Sequence, residues 1–118
     1  MSEVMIGRCL SLFFLTVSVA AHAHASLMSA SPAAGSAVSA APHEVTLTFT
    51  DTLEAAFSSL AVTDARGVEV SQGKAQVSGN TMRIGLKPLN VGVYKVNWRA
   101  VSTDTHKTEG SFTFQIIQ

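Results

Sequence analysis

VGVYKVNWRAVSTDTHKTEGSFTF, residues 91–114, puts Tyr94, Val96 and Trp98 on one side of an extended chain and Phe112 and Phe114 on one side of another. The polar stretch STDTHKTEG (102–110) separates them. A period of two belongs to a strand with one buried face, because successive side chains of an extended backbone point to opposite sides. Working outward, the same alternation recurs in EVTLTF (44–49) with Val45, Leu47 and Phe49, in SLAVTD (59–64) with Leu60 and Val62, and in TMRIGL (81–86) with Met82, Ile84 and Leu86. The last run extends to Ile116, and none of these segments carries a helical stripe. Turn residues lie between them: Ser31-Pro32 onward through AAGSAVSAAP, Asp64-Ala65-Arg66-Gly67, Gly79-Asn80 and Asn90-Val91-Gly92. This spacing predicts an all-β domain, an antiparallel β-sandwich with Greek-key connections, with a small closed barrel as the alternative.

The 118 residues suffice for one domain and one core. Eight basic residues balance eight acidic ones, so neither a nucleic-acid stripe nor a solvating acidic tail is present. Trp98, Tyr94, Phe49, Phe112 and Phe114 are read as core, because a small sandwich needs their area to offset chain entropy. Met82 is assigned to the core as well. Met28 and Met82 are too far apart in sequence for a clustered soft-metal site.

The N-terminus has the parts of a secretory signal. Arg8 supplies charge, CLSLFFLTVSVA (9–20) supplies an apolar run too short to span a bilayer, and small residues follow. The expected division is a signal peptide at 1–23 and a β-sandwich at 24–118. Cys9, the only cysteine, would leave with the signal, so export to a periplasm is argued from the signal alone. Small-x-small triplets end at Ala20, Ala21, Ala23 and Ala25, and the pattern by itself leaves the mature start open.

Asp104 and His106 are the residues best suited to chemistry. In an extended segment, positions two apart project to the same side, so a carboxylate and an imidazole would share one space. The competing reading is a surface loop in which Asp104 bonds backbone amides and His106 is solvated. If His24 is residue one, its α-amine and imidazole can chelate one ion together. With His106 and Asp104 the set becomes three nitrogens and one oxygen, a tetragonal N,O arrangement that suits Cu(II); zinc would accept the same donors less selectively. The amine must lose a proton to bind, so affinity should fall on acidification.

HASLMSASPAAGSAV (24–38), LTFTDTLEAAFSSLAVTD (47–64) and VGVYKVNWRAVSTDTHKTEGSFTF (91–114) together resemble the CopC family of periplasmic copper-binding and copper-resistance proteins. The resemblance covers essentially the whole chain after the signal. It implies a seven-stranded Greek-key β-sandwich and a Cu(II) site formed by His24, Asp104 and His106. The family spacing from the first histidine to the Ser-Pro step selects cleavage after Ala23. Asp51, after the LTF strand, corresponds to an acidic residue that lies near the copper in some members; the competing and favoured reading is a turn residue at the strand end. Members that also hold Cu(I) carry a methionine-rich loop, whereas FSSLAVTDARGVEVSQG (57–73) has neither methionine nor histidine, so this chain resembles the Cu(II)-only type. His43 matches no ligand position.

Three functions follow. The resemblance implies a soluble periplasmic Cu(II) carrier or buffer that passes the ion to an inner-membrane importer of the CopD type. A copper-dependent oxidative enzyme is a second reading, because an N-terminal histidine also holds copper in lytic polysaccharide monooxygenases. The small domain and the filled donor set weigh against it, and the expectation is that the chain is not an enzyme. A metal-free immunoglobulin-like adhesion or assembly module, working through exposed sheet edges, is the third.

Overall fold

The alternating runs do pair. The computed structural model describes residues 25–118 as eight strands: β1 (Leu27–Ser31), β2 (Ala37–Val38), β3 (Glu44–Phe49), β4 (Ser59–Asp64), β5 (Ser71–Ser78), β6 (Thr81–Leu86), β7 (Gly92–Val101) and β8 (Lys107–Ile116). They form two four-stranded sheets ordered β1-β3-β6-β5 and β2-β8-β7-β4. The pairings β3·β6 and β4·β7 join strands that are not consecutive, because the chain crosses between the sheets after β3 and after β6. That is a Greek-key sandwich rather than a closed barrel.

The buried faces are those marked by the alternation. Val45, Leu47 and Phe49 meet Met82 and Ile84 within the first sheet, and Tyr94, Val96, Ala100, Phe114, Leu60 and Val62 cover them from the second. Tyr94 stacks on Phe114 at 5.6 Å and donates its hydroxyl to the Asn90 carbonyl at 2.7 Å. Asn90 lies two residues ahead of the start of β7, so that bond pins the entry to the strand. At the far end of the same strand, Trp98 stands edge-on to Phe49, with ring centroids 5.1 Å apart. Trp98 lies across Gly110, its partner on β8, so closely that an added Cβ would come within 2.5 Å of the indole. Only glycine fits there.

Three strands differ from expectation. The sandwich has eight strands, not seven, and it is not wholly antiparallel: two-residue β2 runs parallel to β8. A pairing that short carries no period. β1 and β5 are edge strands that bury little, and both are bulged, at Met28 and within Gln72–Gln76. Their small or polar residues leave no apolar alternation to read.

Candidate metal centre

β7 and β8 stay paired from Gly92↔Ile116 to Val101↔Lys107, so only residues 102–106 are left to reverse the chain. The polar segment is therefore a tight turn rather than the extended stretch expected from spacing. Ser102 N–H donates to the His106 carbonyl at 2.9 Å, and Thr105 N–H donates to the Ser102 carbonyl at 2.8 Å. Thr105 takes a φ of 73°, the only positive value at a non-glycine among the described residues. For a β-branched side chain this costs about 1–2 kcal/mol. The reversal brings Asp104 and His106 together, although not through the pleat.

The carboxylate sits in a ring of donors. The Ser102 hydroxyl and the His106 N–H, at 3.3 Å, both address Asp104 Oδ1, while Oδ2 lies 3.2 Å from His106 Nδ1. These bonds, led by Ser102, hold the Asp104 pKa down at about 2, so the group is ionised at any physiological pH. Both side chains are about half exposed, so as an ion pair they are screened and add little to the fold. In the tautomer that donates from Nδ1 to Asp104, His106 Nε2 keeps its lone pair for a metal.

The turn is braced by packing and backbone hydrogen bonds from the segment after β3. Ser102 is 1% exposed and forms an antiparallel bridge with buried Leu53. On either side Glu54 N–H reaches the Val101 carbonyl at 2.8 Å, and Thr103 N–H reaches the Thr52 carbonyl at 3.1 Å. The segment after β3 thus buttresses the turn from below. Asp51 is exposed at the start of that segment.

The beginning of the described chain comes to the same place. Ala25 is fully buried, and its carbonyl accepts a 2.9 Å hydrogen bond from the Thr108 hydroxyl, two residues beyond His106. Ser26 N–H donates to Thr50 Oγ1 at 2.8 Å. His24 itself lies outside the described residues, as does the expected signal segment 1–23. His43 is exposed at the other end of the sandwich, where its carbonyl accepts from Leu86 N–H.

Among the described residues no group of three or more His, Cys, Asp or Glu side chains is placed to hold a metal ion. Asp104 and His106 meet, and Asp51 does not join them. Two donors alone make a weak site, so a metal bound here needs ligands from elsewhere. Ser102, Thr50 and Thr108 were not singled out in the sequence. Only Ser102 of the three is buried, and each hydroxyl finds its role through a partner that sequence spacing does not mark.

The CopC domain model matches residues 27–117. Copper resistance protein C of Pseudomonas syringae pv. tomato is 45% identical over 111 residues, covering 86% of this chain and 87% of that protein. The copper transport protein CutJ of Bacillus subtilis is 31% identical over 111 residues, covering 91% of this chain but 20% of that protein. Among solved structures, PcoC, a methionine-rich copper resistance protein from Escherichia coli, superposes with a TM-score of 0.71 at 35% identity, covering 80% of this chain and 100% of that chain.

Proposed function

The chain belongs to the CopC family of copper resistance proteins, and from that premise we propose that it is a soluble periplasmic carrier or buffer for Cu(II), bound by His24, Asp104 and His106. The family is a copper-binding one and not enzymatic, and its members are typically periplasmic. One observation carries the reading. The Asp104–His106 pair, 3.2 Å apart, lies beside the strand position where Thr108 holds the carbonyl of Ala25. Consecutive Cα atoms are about 3.8 Å apart, so a residue bonded to Ala25 is within reach of that pair. The amine and imidazole of His24, exposed by cleavage after Ala23, would then complete three nitrogens and one oxygen, a set that favours Cu(II). Asp51 is the candidate for an outer carboxylate that steadies the bound ion without touching it.

Preference for Cu(II) over Cu(I) is supported by the sulfur inventory. Among the described residues Met28 is 63% exposed on β1 and Met82 is fully buried on β6, so no thioether cluster is available. Delivery to an inner-membrane importer of the CopD type is supported by CutJ, named for copper transport, in which the matched region is one fifth of the protein.

The test is a Cu(II) titration, against a competing chelator, of protein that starts at His24 and of protein with one methionine left ahead of it. The expected result is one tight Cu(II) per chain in the first case and a loss of about two orders of magnitude or more in the second, with a changed EPR spectrum. Equal affinity and equal spectra would remove the amine from the site. Tight binding of Cu(I) would overturn the Cu(II) preference.

A further inference from the structure

The Ala25 carbonyl and the Ser26 N–H are two ends of one planar peptide group. Each is held by a threonine hydroxyl, and the two threonines come from different sheets. Thr108, on β8, donates to the carbonyl at 2.9 Å, and Thr50, directly after β3, accepts from the N–H at 2.8 Å. Thr50 N–H also donates to the Ser26 carbonyl at 2.9 Å, continuing the β1·β3 ladder beyond its last paired residue. The Ala25 side chain is fully buried in the core.

We propose that Thr50 and Thr108 form a clamp on the Ala25–Ser26 peptide that pre-positions His24 for Cu(II) capture. This rests on the proposed role of His24 as a ligand. Threonine suits the task because its β-branch restricts χ1 and fixes the direction of the hydroxyl. Residues 25 and 26 precede the first assigned strand residue, Leu27, so the two side chains anchor the peptide where only one backbone bond, at the Ser26 carbonyl, carries the ladder on. A chain terminus left loose would lose conformational freedom at the moment of binding, and the cost would appear as weaker affinity. With the peptide held, the part of that ordering that falls on Ala25 and Ser26 is in place before the ion arrives. Neither threonine need touch the metal; both are positioning residues, acting through the backbone of Ala25.

The experiment measures Cu(II) affinity for protein starting at His24 and for its Thr108→Val, Thr50→Val, Thr108→Ser and Thr50→Ser variants. Each valine variant should bind roughly three- to tenfold more weakly, as expected for one lost hydrogen bond, and each serine variant should return close to the parent. In protein carrying an extra methionine ahead of His24, the same valine substitutions should leave the residual affinity unchanged, a distinction that a general loss of stability would not make. Amide exchange at Ser26 in the metal-free protein should accelerate in Thr50→Val and not in Thr50→Ser, which reads the clamp without copper. Valine variants that bind like the parent while His24→Ala loses copper would overturn the clamp and leave the site intact. Equal weakening in the extended protein would overturn it too. Full affinity in His24→Ala would refute the ligand assignment on which the clamp depends.

Discussion

Two aspartates sit in tight turns at opposite ends of the sandwich, and they are spent differently. Asp64, where β4 ends, accepts from Arg66 N–H at 2.9 Å and Val68 N–H at 3.0 Å, and its second oxygen takes the Arg66 guanidinium at 3.2 Å. Asp104, where β7 gives way to β8, accepts from a serine hydroxyl and one N–H, and its second oxygen faces an imidazole. Both carboxyls are held below the usual carboxylate range by these donors. Asp64 is satisfied by a cation that cannot release a proton, and its side chain is only 20% exposed. Asp104 is 55% exposed and paired with a group that a metal can replace. The two turns thus differ in what the last carboxylate oxygen faces, and the metal role proposed for Asp104 rests on that difference.

Substitutions can break this comparison. The largest effect should come from His106→Ala, which should cost about two orders of magnitude or more in Cu(II) affinity in a chelator competition while leaving the far-UV CD spectrum unchanged. Asp104→Asn should weaken Cu(II) by about tenfold, and Asp64→Asn in the same titration should not change it. A Cu(II) response to Asp64→Asn would erase the distinction between the two turns. Thermal melting of the metal-free protein should reverse the order, with Asp64→Ala lowering the midpoint by a few degrees and Asp104→Ala by less, because Asp64 holds two backbone N–H groups and a guanidinium.

The smallest effect is shared by both. A carboxyl whose pKa is lower in the folded than in the unfolded chain stabilises the fold above the unfolded value, near 4, and that contribution fades as pH falls toward the folded value. For Asp104 that window runs from about 4 to about 2. Urea midpoints of the metal-free protein should therefore drop across this range. Asp104→Asn and Asp64→Asn should each flatten the decline.

Most of the core was legible because β3, β4, β6, β7 and β8 each have one apolar and one wet face, which writes the pleat into the sequence. β1, β2 and β5 left no such record: an edge strand buries too little to require alternation, and β2 pairs through only two residues. The candidate site was legible as a pair of residues and not as a geometry. Asp104 and His106 were singled out from an extended period, yet Thr105, with its left-handed backbone, is what folds them together. Ser102 could not be read as their support, since its burial depends on Leu53, nearly fifty positions earlier. Thr50 and Thr108 escaped for the same reason: each matters through a backbone atom far away in the chain.

The contact between Trp98 and Gly110 has an optical consequence. Trp98 is the chain's one tryptophan, and Gly110 lies on the same face of β8 as Thr108. An indole packed against bare backbone on the strand pair that leads into the turn has a defined place relative to any ion held there. Cu(II) is a paramagnetic quencher, so a bound ion would dim the emission of Trp98 and its removal would restore it. The protein would then carry its own gauge of copper occupancy, without any added dye.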